Sequence, residues 1–355
     1  MLDIQYPAMR PLRLLLLACC APTAVDAAEI IISDRHTVAT APGKLYSLPR
    51  LVRAADGGYL LFFRAGETRM TDRGMIALAT SRDGRAWSKV RILDGAPEPD
   101  HGWHNPVALV TPEGRVLLWT SSLQVTSPNR RHPNFLRWSD DHGKTWTEPG
   151  RFDNAGGRST YYVTDAINMY DGILAAAATF PTGGMGDCYT VIWHSPDAGR
   201  TWNVRSHLTQ PIDNRGDEAA LLETAPGEIL CLLRMRRGRG LAQFRSTDAG
   251  RSWTEGQNLY GMLHATLQRP FLTRLSKTRV LLSGRDPDRK QVVAYLSEDN
   301  GKTFAGRAEI DSYVVDGGHT ACVATGPASA LMAYYADSAA GLARAEVRVV
   351  RLSVK

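Results

Sequence analysis

The sequence predicts an all-β fold, a six-bladed propeller of four-stranded antiparallel blades. Two observations predict it. One short phrase, Ser-x-Asp-x-Gly-x-Thr-Trp in its fullest form, recurs along the chain, and the text between its copies holds short β-rich runs without a sustained helical period. Full copies stand at Ser139–Trp146 (SDDHGKTW), Ser195–Trp202 (SPDAGRTW), Ser246–Trp253 (STDAGRSW) and Ser297–Phe304 (SEDNGKTF), and a damaged copy, TSRDGRAW, ends at Trp87. Their terminal aromatics lie at 87, 146, 202, 253 and 304, separations of 59, 56, 51 and 51 residues, so each phrase marks one supersecondary unit.

Taken in order, the apolar runs supply the strands. YLLFF (59–63), RVLLWTS (115–121), EILCLLRM (228–235) and RVLLSG (279–284) each follow a glycine or polar turn. A unit of roughly fifty residues with about four short strands is the signature of a propeller blade. Residues 28–355 divided by that period give close to six units. The last needs no phrase, because ALMAYYA (330–336) and AEVRVVRLSV (345–354) supply its strands, and AEIIIS (28–33) is placed to complete its sheet and close the ring. No Pro/Ser linker divides the chain, so 28–355 reads as one domain. The phrase itself reads as a hairpin lock: Ser and Asp bond turn amides, Gly takes a positive φ, and the aromatic tucks into the blade. One active site does not need four copies of it.

Composition narrows the partners. A 43% hydrophobic and 22% charged chain is globular, and a net charge of +6 with a cluster at Arg234–Arg239 (RMRRGR) suits an anionic partner. No nucleic-acid reader motif is present, so an acidic carbohydrate is the partner expected, with the protein a monomer. Residues 1–27 read as a signal peptide: Arg10 and Arg13 precede the apolar run LLLLACCAP, and a small-residue site ends at Ala27. The run is too short to span a bilayer, which predicts a secreted or periplasmic protein, with a lipoprotein anchored through Cys19 as the alternative. Cys188, Cys231 and Cys322 form no disulfide framework and no metal spacing, and neither metal nor cofactor is expected.

The phrases resemble Asp-boxes, and with the blade count the mature chain resembles the sialidase (neuraminidase) superfamily of BNR-repeat proteins. That resemblance implies an arginine triad gripping a substrate carboxylate, a Tyr nucleophile assisted by a Glu, and an Asp acid/base. DEAALLETAPGEILCLLRM resembles the segment with the Glu and the second arginine, implying Glu218 and Arg234. SGRDPDRKQVVAYLSEDNGKTF resembles the segment with the third, implying Arg289 with Arg285 as the competing occupant. RAGETRMTDRGMIALATSRDG resembles the acid/base segment, implying Asp72 with Glu67 nearby. Two departures stand out. YSLP puts Ser47 where the first triad arginine belongs, with Arg50 and Arg53 as possible substitutes and Arg53 sharing the strand parity of Ser47. DGGHTACVATGPASALMAYYAD puts His319 where the Tyr belongs, and an imidazole suits proton transfer near neutral pH.

A further constellation is PDHGWHNP, in which His104 is a candidate general base and Trp103 a candidate for stacking on a sugar ring. His101 and His104 as a zinc pair would need a helix that Pro99 and Pro106 disfavour. His264 is another histidine able to reach a central channel. The expected function is an exported glycan-processing enzyme, a glycosidase acting on an acidic sugar through Asp72, Glu218 and the arginines. The alternatives are a uronate-directed lyase using His104 or His319 as base, and a propeller that only binds acidic glycans.

Overall fold

The computed structural model describes residues 29–93, 100–126, 133–152, 160–179, 188–208, 216–235, 239–338 and 341–355. The proposed leader, residues 1–27, lies outside them, as do Arg236 and Arg237 of the basic cluster. The described chain is almost wholly strand, with one four-residue helix, Tyr260–Leu263, among the described residues. Apolar runs that alternate or run continuously over five to eight residues bury both faces between sheets, which helices of that length could not do.

Four sheets have four strands each, ordered as consecutive antiparallel hairpins. They start from the strands His101–Val110, Thr160–Met169, Gly216–Ala225 and Gln268–Arg274. A fifth sheet has eight strands. It contains two further antiparallel sets, one beginning at Leu45–Arg53 and one at Gly317–Gly326, joined by a single parallel pairing of Leu45 with Ala345. The expectation of six separate sheets is therefore corrected to five. The cause is local: the strand Gly341–Val354 is long enough for its early residues to reach Leu45 while its later ones pair with Ile30–Ala39. That last pairing, Ile30 opposite Val354 and Ile32 opposite Leu352, ties the two ends of the described chain together.

The first strands of these sets touch one another in a closed circuit around a central channel, from Leu45–Arg53 through Gln268–Arg274 and Gly317–Gly326 back to the start. Apolar clusters fill the seams between neighbours. One joins Phe62, Ile76 and Leu78 to Trp103, Val116 and Leu118, and another joins Leu117 and Trp119 to Ala175, Ala177 and Trp193.

The hairpin locks form as their sequence dictates. In the second, the Ser139 hydroxyl donates to Asp141 (2.7 Å) and accepts the Gly143 N–H (2.8 Å), while Asp141 accepts the Thr145 N–H (2.9 Å) and hydroxyl (2.6 Å). The same pattern recurs around Asp197, Asp248 and Asp299. The damaged copy keeps most of it: Ser81 donates to Asp83 and accepts the Gly84 N–H (2.8 Å). The lock aromatic does not tuck into its own sheet. Trp146 meets Phe62, and Trp202 meets Trp119, each edge-on and each in the preceding sheet, so a lock fastens a seam as well as a turn.

Register fixes which end is which. Ser47 pairs with Arg64 and Arg64 with Ile76 at one end of the first set, while Arg53 pairs with Tyr59 and Tyr59 with Ser81 at the other. The locks follow Ser81 and its counterparts, so they line the face opposite the starts of the inner strands.

Candidate active site

Each inner strand breaks register near its start. In five of them two residues oppose one: Leu48–Pro49, Asn105–Pro106, Asp217–Glu218, Arg269–Pro270 and Gly318–His319. The first residue of a bulge can take a left-handed conformation, and Leu48, Asn105, Arg269 and Gly318 do so with φ of 56°, 44°, 50° and 78°. Proline follows three of them because the broken ladder asks for no N–H there. The bulges turn side chains toward the channel mouth.

Glu218 stands at the centre of the resulting charge cluster. Its carboxylate accepts from Arg234 Nη1 (2.8 Å) and from the Arg269 backbone N–H (3.0 Å), and the Arg269 Nε lies 2.7 Å away. Burial alone raises such a carboxyl, but Arg269, Arg234 and Arg285 outweigh it and hold Glu218 below the usual carboxylate range. Beside it, Asp316 accepts from Arg285 Nη1 (2.6 Å) and from the Tyr335 hydroxyl (2.6 Å), with Arg69 Nε 3.2 Å away. Arg285 is fixed further by Gln268 Oε1 (2.8 Å). Four guanidinium groups thus share two carboxylates, with the buried Asp217 beside Arg269 and the buried Asp337 accepting the Asp316 N–H (2.9 Å).

His319 sits among them, buried, its ring edge-on to Tyr335 at 5.4 Å between centroids. Burial first, then the nearby Arg269, Arg285 and Arg69, push its pKa well below the ordinary histidine value. The imidazole is therefore neutral at physiological pH, and the surroundings that disfavour its protonated form make it a weak base. His319 lines a cavity of about 50 Å³ with Arg50, Asn105 and Arg269.

Asp72 lies on the loop after Tyr59–Gly66. It pairs with the buried Arg64 guanidinium and accepts the Glu67 and Thr68 N–H groups, and these outweigh burial to lower its pKa. Arg64 itself lies in a slot walled by Gly66 and Gly74, where an added Cβ at either would collide with its guanidinium. The loop rests on the next set: Trp103 N–H donates to Gly74 O (2.6 Å), and Gly102 leaves room for the backbone of Asp72 and Gly74. Arg69 on the same loop reaches Asp316, so this loop bridges two sets over the mouth.

The structure thus brings Glu218, Arg234, Arg285 and His319 together and sets the Asp72 loop beside them. Arg289 lies elsewhere. It is in the turn after Val280–Asp286, half-exposed, paired with Asp286 (2.7 Å) and bonded to His264 O (3.2 Å). Arg53 is at the lock end of its strand, donating to Gly57 O (3.2 Å), because the bulge after Ser47 shifts the parity on which it was chosen. Arg50 is committed to Asp165 (2.7 Å) and to Ala108 O (3.2 Å). Trp103 is fully buried, edge-on to Phe135 at 5.2 Å, and unavailable for stacking on a sugar. His104 is buried next to the Asn105–Pro106 bulge and close enough to His319 to affect its charge. His264 is an exposed helix cap, φ 49°. Glu67 pairs with Lys44 (2.8 Å) on the surface.

Sequence reasoning missed Arg269, Arg69, Asp316 and Tyr335. A signal for the first existed: Arg269-Pro270 repeats the x-Pro of Leu48-Pro49 and Asn105-Pro106 at the start of an inner strand.

Among the described residues, no group of three or more His, Cys, Asp or Glu side chains could hold a metal ion. No helix among them is long and apolar enough to cross a membrane. Cys188, Cys231 and Cys322 are buried, and Cys231 and Cys322 are free thiols.

Antiparallel sheets in a ring, locks on one face and an arginine- and carboxylate-bearing mouth on the other define a propeller-like protein of the sialidase superfamily. The chain belongs to the BNR repeat-like domain family, whose profile matches residues 58–314. A sialidase of Bacteroides fragilis (strain YCH46) is 26% identical over 215 residues, 52% of this chain and 38% of the relative, so the chain spans well under half of that protein. In fold it is similar to a protein of unknown function from Dyadobacter fermentans DSM 18053, with a TM-score of 0.78, 18% identity and coverage of 92% of this chain and 99% of that one. The Hadza microbial sialidase Hz136 follows with a TM-score of 0.70, 19% identity and coverage of 89% and 68%.

Proposed function

We propose that this protein is an exported, glycoside hydrolase-like member of the superfamily that processes an acidic sugar at the channel mouth. The observation that carries the reading is the arginine cluster: Arg69, Arg234, Arg269 and Arg285 around Glu218 and Asp316, with neutral His319 among them. A planar carboxylate suits such guanidinium groups. Glu218 keeps Arg234 and Arg269 aligned and Arg285 faces the ligand. Water adds to the anomeric carbon, the glycosidic C–O bond breaks, and the proton that water loses passes by way of His319 to the departing sugar oxygen. The reading takes residues 28–355 as a single domain behind a signal peptide of residues 1–27.

One observation favours a second reading. Asp72 is held ionised and His319 neutral, the unprotonated forms in which a base, here a weak one, takes up a proton. That is the need of a uronate lyase, in which arginines neutralise the carboxylate while a base removes the neighbouring carbon-bound proton. Mass spectrometry of products from sialylated and uronic-acid oligosaccharides, with His319→Ala as control, tests both. A product that has gained water supports the hydrolase, and an unsaturated one supports the lyase. Binding without turnover overturns both and leaves a glycan-binding propeller.

A further inference from the structure

Immediately beyond the bulges an ion pair crosses the channel. Arg50 Nη2 donates to Asp165 Oδ1 at 2.7 Å, and the two side chains are only 9% and 6% exposed. Arg50 lines the cavity of about 50 Å³ that it shares with His319, Asn105 and Arg269 at the mouth. With Asp165 and Phe271 it also lines a larger cavity, of about 460 Å³, whose walls include Arg53, Asn168 and Arg274 toward the lock ends of the inner strands. The pair is therefore the partition between the two.

Its contacts reach five inner strands. Arg50 directly follows the Leu48–Pro49 bulge, and Asp165 stands at a register break of Thr160–Met169. Arg50 Nε donates to Ala108 O (3.2 Å), just past the Asn105–Pro106 bulge. The Arg50 guanidinium lies over the Phe271 ring, 4.6 Å from its centroid, and Phe271 directly follows Arg269–Pro270. Asp165 Oδ2 accepts the Leu221 N–H (2.9 Å), shortly after Glu218, and the neighbouring Thr164 Oγ1 accepts the Ala219 N–H (3.3 Å). One pair thus joins the strands that carry Asn105, Glu218 and Arg269 just below the points where their bulges aim those residues at the mouth.

Stability gives no reason to place an ion pair here, since a buried pair is often no more stable than apolar side chains of the same volume. Geometry does. A guanidinium is planar and directional, so its bonds to a carboxylate and a carbonyl fix distances across the channel that apolar packing would leave loose. We propose that Arg50 and Asp165 are positioning residues, which hold Glu218 and Arg269 in place relative to each other from within the channel. This role rests on the reading of the mouth as an active site, where a shift of about 1 Å is enough to cost about a hundredfold in rate.

Thermal melting, kinetics and amide exchange of the full chain test it. Arg50→Met leaves Asp165 charged and unpaired, and should melt roughly 6–20 °C lower. Arg50→Met combined with Asp165→Asn removes both charges, keeps an oxygen for the Leu221 N–H and fills the channel, so it should regain most of that loss. With sialyllactose and an oligogalacturonate as substrates, the double variant should still turn over whichever probe the wild type accepts with a kcat about tenfold lower. In the same variant the amides of Ala219 and Arg269, the latter bonded to Glu218 (3.0 Å), should exchange about tenfold faster than in the wild type. Should the double variant not fold, Arg50→Lys, which keeps the charge opposite Asp165 but not the second bond to Ala108 O, is read in the same way. Wild-type kcat in the variant would reduce the pair to a structural filler and overturn the proposal, as would unchanged exchange at both amides. If the wild type turns over neither probe, it is the active-site reading that fails, and the exchange rates alone decide on the positioning role.

Discussion

Replacing Glu218 with Gln tests whether the mouth is organised around one anion. The substitution keeps the side chain's shape and an oxygen for the Arg269 N–H, but it removes the charge between Arg234 at 2.8 Å and Arg269 at 2.7 Å. The carboxylate is only 5% exposed, so solvent does little to screen the two guanidinium groups left behind. Breaking such a buried pair costs about 3–5 kcal/mol. A domain of this size holds roughly 5–15 kcal/mol, so the variant folds but melts lower, by roughly 6–20 °C at about 2–4 °C per kcal/mol. Thermal unfolding across pH reads the effect. Because the folded pKa of Glu218 is depressed, its contribution is present above the unfolded value and is lost as pH falls through the folded one. The gap between wild type and variant should stay constant from pH 8 to about 5 and close at more acid pH. Sulfate should narrow the gap by supplying the missing anion. A gap under about 2 °C at pH 7, or one that widens in acid, would refute the reasoning, since Glu218 would not then be the ion that balances the mouth.

Other consequences follow from the same geometry. His319 is neutral well below the usual histidine range, so any activity should show no loss at pH 6.5 that traces to this residue; a pH–rate profile with an acid limb there, abolished in His319→Gln, would contradict it. Asp248→Ala removes bonds to the Ser252 N–H (2.9 Å) and hydroxyl (2.6 Å) at an exposed turn, a loss of about 1–2 kcal/mol read by melting, with turnover of the folded protein unchanged. Burial pushes the Cys322 thiol up to about 12, so it should not react with a thiol reagent at pH 8 until the protein is unfolded, and prompt labelling of the native chain would show the burial to be wrong.

What could be read from the sequence was local. A lock is closed by bonds between residues at most four apart, as from Asp141 to Thr145, so its text carries its structure. Strands such as Tyr59–Gly66 and Val280–Asp286 follow from their apolar runs for the same reason. The mouth is built otherwise. Arg69 meets Asp316 from the opposite end of the chain, and Arg269 meets Glu218 from another set, so neither partner predicts the other. Arg285 and Arg289 look alike in sequence, but Arg285 is a ladder residue opposite Gln268 whereas Arg289 is in the turn beyond it. The parity that favoured Arg53 failed because two residues, Leu48 and Pro49, face one on the neighbouring strand.

The two ends of the inner strands therefore answer to different physics. At the lock end the register is regular and short-range bonds fasten each turn, while lock tryptophans such as Trp146 and Trp202 grip the preceding sheet. At the mouth the register is broken in every inner strand, ladder bonds are given up, and left-handed backbone appears at Leu48, Asn105 and Arg269. Such bulges persist only where the surroundings over-determine them, and here the seam clusters and locks supply that rigidity from the far end. In return, each bulge aims a side chain at the channel that a regular strand would have turned into a seam. The residues so aimed, Arg269, Glu218 and His319 among them, differ from set to set, while a two-against-one bulge recurs in five of the six. A ring of equivalent positions with unequal side chains lets the chemistry of the mouth change while the fold stays fixed, which is why the locks identify the architecture and only the bulges bear on the reaction.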